Sequence, residues 1–239
     1  MPVLLFIITA CFASFCHVVG YRLPKKQSFI VGRSCCEQCH TVLKPVELIP
    51  ILSYILLRGR CRHCQKSIPL LSPFLEVLSG FLVVALYSVY GLSNAFFLGF
   101  VLVLLFVTIS VSDMYYQLIP NRILLFFWSV IFIICLFEPE LLFMRIVGSA
   151  SIFLFLALFA WLSHGGIGGG DVKLYAIIGA VLGLPLAFVS LFLATLCGFV
   201  WFFVGRASTT REIPFAPSIA IATMVTYFYG EAFLNWYTH

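Results

Sequence analysis

Charge is what this chain has least of. Charged residues make up 10% of its 239 residues and apolar ones 62%, whereas an ordinary soluble domain carries about 25% charge and about 45–50% apolar residues. A water-soluble globule is therefore excluded. Aspartate is almost missing: Asp113 and Asp171 are the only two, so chemistry that needs an aspartate pair has one choice of residues. Extended polar sequence is confined to residues 21–69, and a soluble subdomain can lie nowhere else. The glycines match neither G-x-G-x-x-G nor a Walker loop, which argues against a dinucleotide or phosphate cradle. The basic residues come without a stacking or groove-reading motif, so nucleic acid is not an expected partner.

Apolar runs fill the remainder. Read against charged, Gly and Pro interruptions, they predict spans near residues 2–20, 70–90, 94–112, 122–137, 142–162, 173–184, 186–204 and 214–236. A bilayer-crossing helix needs about 20 apolar residues, and the sixth run is short by that measure. The expected fold class is an all-α polytopic membrane protein of about eight transmembrane helices with a small cytoplasmic zinc-binding insert. Its parts are a first span at 1–20, the insert at 21–69 and a transmembrane core at 70–239. The first run lacks a basic start and a small-residue cleavage site, so it reads as a retained span and not a signal peptide.

Orientation follows from Lys and Arg, which resist translocation and stay on the cytoplasmic side. The insert holds nine of the fourteen. With it inside, Arg122, Lys173, Arg206 and Arg211 also fall inside, Arg145 alone lies near an outer end, and Glu138 and Glu140 fall outside. Both termini are then expected outside. The insert's charge suits the lipid headgroups of the bilayer it borders.

Within the insert, Cys36-Glu-Gln-Cys39 and Cys61-Arg-His-Cys64 are C-x-x-C pairs separated by 21 residues. Each pair can form a tight turn aiming two thiolates at one ion, and four thiolates complete a closed tetrahedral zinc site. Arg58, Arg60 and Arg62 would offset its negative charge. Disulfides are the rival reading, but a reducing cytosol is a poor place for them. Cys35 leaves the first pair open by one residue, although only Cys36 gives the two-residue gap. A closed site has no position for water, so the metal is expected to order the insert and not to hydrolyse anything. Cys11, Cys16, Cys135 and Cys197 lie singly in apolar runs and read as packing residues.

Asp113 and Asp171 each sit where an apolar span meets a short loop, and ionisable groups at such depth are functional candidates. Two expected spans separate them, so parity returns the chain to the same membrane face. If the carboxyl groups meet, repulsion and low dielectric favour one shared proton, leaving a carboxylate to activate water and an acid to polarise a carbonyl. Asp171 closes Gly165-Gly-Ile-Gly-Gly-Gly-Asp, where Gly168 and Gly170 lack the Cβ that would keep a substrate backbone away and the loop is free to adopt positive φ. Two other readings stand beside this one. The aspartates could be helix caps, a role that suits Asp171 better than Asp113, or they could carry an ion or metal through a transporter. Lys173, His164, Glu47 and Glu76 lie nearby or flank the insert without an assigned role.

Taken together these motifs resemble bacterial type IV prepilin leader peptidases, membrane aspartic proteases of the GxGD class. Ser14-Phe-Cys-His-Val-Val-Gly-Tyr-Arg-Leu-Pro24 is similar to the family's first-span end. Glu47-Leu-Ile-Pro-Ile-Leu-Ser-Tyr54 and Arg58-Gly-Arg-Cys61 resemble its insert, and Ser72-Pro-Phe-Leu-Glu76 continues the match. Asp113-Met-Tyr-Tyr-Gln-Leu-Ile-Pro120 and Gly168-Gly-Gly-Asp171-Val-Lys-Leu174 are similar to its two catalytic motifs. Glu37 departs from the pattern, standing where a proline is common. The resemblance implies that residues 70–239 are a peptidase core, that Asp113 and Asp171 are catalytic, and that a prepilin or pseudopilin precursor is cut after a glycine at the cytoplasmic face of the cell membrane. It also implies methylation of the new N-terminus from S-adenosylmethionine, for which the residues themselves give no binding site. Four cysteines favour the bifunctional bacterial type, and the insert is most similar to that of competence pseudopilus enzymes.

Overall fold

The computed structural model describes residues 1–28, 34–36, 38–39, 41–164, 166–204 and 214–238. Glu37, Gly165, Arg206 and Arg211 lie outside the described residues. Regular structure among the described residues is helical, with two isolated β-bridges and no strand. Helix α1 (Pro2–Arg22) leads into the insert, which holds a 3-10 turn at Pro45–Leu48 and the short α2 (Leu52–Leu56). There follow α3 (Leu71–Tyr90), α4 (Asn94–Tyr116), α5 (Asn121–Cys135), α6 (Pro139–Leu162), α7 (Gly169–Leu182), α8 (Leu184–Val204) and α9 (Ala216–Thr238).

Local chemistry sets these ends. Pro2 and Pro139 occupy the first helical position, where a missing N–H costs nothing. The Ser93 side chain caps α4 by accepting from the Phe96 N–H at 3.4 Å. Gly91 after α3 and Gly183 after α7 take φ of 61° and 76°, which stops each helix in a region that side chains resist. Among the described residues five helices, α1, α3, α4, α6 and α8, are long and apolar enough to cross a membrane. Helices α5 and α7 are shorter, at 15 and 14 residues.

The bundle is organised around α4. Of its apolar window 83% is buried, against 17–28% for the other four long helices, so α4 is the axis and the others present apolar side chains outward. Its neighbours are α1, α3, α5 and α9, while α6 packs on α7 and α8 on α9. Apolar attraction cannot hold helices together in lipid, where close backbone packing takes over. A Cβ on Gly20 would lie 2.4 Å from the Thr108 carbonyl, so α1 and α4 touch backbone to backbone. The same contact joins α6 and α7, where a Cβ on Gly148 would lie 2.7 Å from the Gly179 carbonyl.

The insert is fastened to this bundle by a buried acid. Glu76, 5% exposed, accepts the Ile51 N–H at 2.9 Å and the Ser72 hydroxyl at 3.2 Å, with Ser14 of α1 as a further hydrogen-bond partner. Ile51 itself has φ 63° and ψ −54°. The Leu52 N–H closes a γ-turn onto the Pro50 carbonyl, a strained geometry for a β-branched residue.

Candidate active site and cysteine cluster

Asp113 lies in the last turn of α4 and is 8% exposed. That end of a helix carries unsatisfied carbonyls and repels an anion. The mismatch is resolved from elsewhere: the Ala216 N–H donates to Asp113 Oδ2 at 2.8 Å. Ala216 is the first residue of α9, so the free amides and positive end of that helix face the carboxylate. Sequence reasoning missed this contact. The available signal was Pro214-Phe-Ala-Pro217, two prolines bracketing amides that start a helix and have no acceptor within it.

Asp171 sits in the first turn of α7, two residues past the first helical residue, and Gly168 is the N-cap. The cap position that the rival reading would give Asp171 is thus taken by a glycine, and the helix begins at Gly169, four residues before the expected span. Among the described glycines of the loop none takes a positive φ. Gly168, just before the helix, has φ −63°, and a positive value falls on His164 at 50°. The glycines serve close approach. A Cβ on Gly168 would lie 2.9 Å from Asp171 Oδ2, and one on Gly170 would lie 2.9 Å from Ile119 Cβ. Gly168 therefore gives the carboxylate its room, and Gly170 lets α7 seat against the loop that follows Asp113.

The antiparallel α5 and α6 carry the chain out and back, so the end of α4 and the start of α7 share one end of the bundle. Ile119, in the loop after α4, packs against Gly170, the residue before Asp171. The same end receives the last turn of α1, where the Tyr21 ring meets Tyr115 at 5.0 Å and Tyr116 at 5.9 Å. Lys173 does not pair with either aspartate in a salt bridge; its Nζ donates to Asn121 Oδ1 at 2.9 Å.

The cysteines converge independently. Sγ of Cys36 lies 3.8 Å from that of Cys64, and Sγ of Cys39 lies 3.9 Å from that of Cys61. All four sulfurs fall within 4.8 Å of one another and could hold a metal ion. Each pair occupies its own turn, one closed by the Cys35–Val42 bridge and the other by Arg60–Ser67. The Cys36 N–H donates to Thr41 and the Cys61 N–H to Lys66 across these turns. Cys35 is exposed and stands outside the cluster. Hydrogen bonding by Thr41 draws the Cys39 thiol down to about 6, and the backbone of Cys64 and His63 lowers Cys61. Cys64, although the Lys66 backbone favours its thiolate, is held up at about 11 by burial and the neighbouring sulfurs.

Two family models divide the chain along these lines. The Bacterial Peptidase A24 N-terminal domain matches residues 7–90, with the cysteine cluster and Glu76 inside it. The Type IV leader peptidase family matches residues 100–203, which include both aspartates. A "Prepilin leader peptidase/N-methyltransferase" of Bacillus subtilis (strain 168) is 36% identical over 239 residues, covering 98% of this chain and 96% of the relative. The chain belongs to the type IV prepilin leader peptidase family. Proteins of the same description from Burkholderia pseudomallei (strain 1026b) and Vibrio cholerae are 33% and 31% identical, covering 88% and 95% of this chain and 72% and 96% of theirs. No solved structure matches. In this family member, then, the aspartates and the cysteine cluster belong to two separately matched units.

Proposed function

We propose that this leader peptidase cuts prepilin-type precursors with Asp113 and Asp171 as the catalytic pair. One carboxylate takes a proton from water as the oxygen attacks the scissile carbonyl. The other, protonated, donates to the carbonyl oxygen and stabilises the charge that develops there. Collapse of the tetrahedral intermediate breaks the C–N bond, and the proton taken from water passes to the leaving amine. What carries this reading is that Ile119, in the loop after α4, packs on Gly170 beside Asp171 while the α9 amide holds Asp113 in place. A backbone N–H needs no reorganisation as charge moves.

In the same reading all eight bundle helices cross the cytoplasmic membrane, the short α5 and α7 included, and the aspartates, Gly168, Gly170 and the insert face the cytoplasm. Residues 21–69 form a structural zinc module between the first span and the peptidase core at 70–239. The cluster fits the ion, since Zn–S bonds of about 2.3 Å place tetrahedral sulfurs about 3.8 Å apart, the separation of the Cys36–Cys64 pair. Cys36, Cys39, Cys61 and Cys64 would be the ligands, and zinc would supply cohesion to a segment with little core of its own. Methylation of the new N-terminus from S-adenosylmethionine is the second activity, for which we assign no residue. Competence-type pseudopilins are the proposed precursors. The transporter alternative has no support from the family relationship.

Membranes containing the protein, incubated with a prepilin precursor and labelled S-adenosylmethionine, test both activities at once. Shortening of the precursor with label on the product is expected. An unshortened precursor would overturn the peptidase reading.

A further inference from the structure

The stretch from Pro45 to Leu56 is the apolar part of an otherwise polar insert. Seven of its twelve residues are Val, Leu or Ile, yet no residue of the 3-10 turn or of α2 is buried. These two elements pack chiefly on each other and not on the bundle. Leu52, Ile55 and Leu56, at i, i+3 and i+4, give α2 one outward apolar stripe, exposed by 47%, 63% and 63%. Val46, Leu48 and Ile49 are exposed as well. So many apolar side chains seldom gather on a surface that meets only water, and such a patch marks contact with a membrane or another protein.

The position of the stretch decides between the two. Glu76, which accepts the Ile51 N–H at 2.9 Å, lies five residues past the start of α3 at Leu71, about 7.5 Å along a helix. Its partner Ser14 lies eight residues before the end of α1 at Arg22, about 12 Å along that helix. The middle of the stretch is therefore held below the rim of two helices that are long and apolar enough to cross a membrane. Charge gathers at its ends: Lys44 precedes it and Arg58, Arg60 and Arg62 follow, all four exposed. Glu47, the one acid among them, turns back to accept the Lys44 N–H at 2.8 Å. Outward apolar side chains at depth, bounded by basic residues at the rim, are the pattern of a segment lying in a membrane interface.

We propose that residues 45–56 lie among the lipids of the leaflet that borders the insert, with their apolar side chains in the acyl region and Lys44, Arg58, Arg60 and Arg62 on anionic headgroups. This rests on α3 crossing the bilayer, as read above, and not on the peptidase chemistry. The insert then has two kinds of part: cysteine turns that stand in water, and between them a stretch that belongs to the bilayer.

The test is fluorescence quenching in vesicles of phosphatidylcholine and phosphatidylglycerol. The full-length protein carries acridonylalanine in place of Ile55 or, as a second position, Leu56. Phe74, 60% exposed near the start of α3, is the membrane reference, and the exposed Gln65 beside Cys64 is the water reference. Positions 55 and 56 are expected to lose fluorescence to lipid bearing a nitroxide high on its acyl chain, as position 74 does, and to resist aqueous iodide, with the reverse at 65. Iodide quenching at 55 and 56 would overturn the proposal. Protection from iodide without loss to the nitroxide lipid would overturn it too, since the cover would then be protein. Loss at none of 55, 56 and 74 would overturn the placement of α3 and the proposal together, while precursor cleavage in the same vesicles reports on the peptidase reading separately. With the nitroxide on phosphatidylglycerol, the loss at 55 should exceed that from the same nitroxide on phosphatidylcholine, and Lys44→Gln combined with Arg58→Gln should shrink the difference. Equal loss from the two lipids before those substitutions would overturn the headgroup contact.

Discussion

The cysteine cluster and the aspartate pair are assembled in opposite ways. Each C-x-x-C pair is shaped by its own turn, and the two turns have only to meet across a short insert. The aspartates are brought together by the bundle: one ends α4, the other begins α7, and the amide that steadies Asp113 comes from α9, 103 residues away in sequence. A site made of turns can be repaired or lost locally. One made of helix ends depends on the packing of three helices, and that packing can be disturbed without touching a carboxylate.

The most damaging change should be the one that leaves packing intact and removes the chemistry. Asp113→Asn and Asp171→Asn are each expected to lower precursor cleavage by about a thousandfold or more, with the double variant scarcely worse, as groups acting as one unit behave. Cleavage assays on folded, membrane-inserted protein decide this. Near-normal turnover by either amide would separate the pair. Next comes Cys61→Ser, expected to release the metal and to expose the remaining cluster thiols to alkylation, because binding energy in such sites is folding energy. Metal content measured beside thiol reactivity checks it; an unaltered zinc stoichiometry would mean that the insert holds metal some other way, or none.

Ala216→Pro sharpens the comparison because it deletes one N–H. Proline is accepted at the first position of a helix, so α9 should persist while Asp113 loses the Ala216 donor and keeps the Phe215 amide, with cleavage falling about 10–100-fold. Ala216→Ser keeps the amide and should stay within about threefold. Equal losses in both would point to packing. Smallest of all, Lys173→Ala removes an exposed bond to Asn121 and should cost no more than about threefold in cleavage, read under the same conditions.

The contrast between the two regions also explains which features the sequence made legible. Four sulfurs at C-x-x-C spacing announce their own convergence, because the turn that joins them is encoded between them. Approximate limits of the long helices followed from apolar runs, with the glycine stop at Gly91 helping to mark a boundary, while the short α2 was not foreseen. The shared end of Asp113 and Asp171 followed from parity alone. Contacts between distant elements were not legible. Nothing adjacent to Asp113 identifies the α9 amide, and nothing in Gly168-Gly-Gly tells that one glycine makes room for a carboxylate while another seats a helix on Ile119. The interior position of α4 was hidden for a related reason: every long helix here is apolar all round, so composition does not distinguish the helix facing protein from those facing lipid.

The turn at Ile51 inverts a familiar rule of protein engineering. Trimming a large aliphatic residue to glycine ordinarily weakens a fold, through lost contacts and a freer unfolded chain. Position 51 instead forces a β-branched side chain into a positive-φ γ-turn, a strain of about 1–3 kcal/mol. Glycine would adopt that backbone without complaint. The isoleucine, by contrast, makes the turn lean on the Glu76 carboxylate that accepts its N–H. A chain built for maximum durability would carry glycine there; this one holds a strained turn in place with a buried acid from the neighbouring helix.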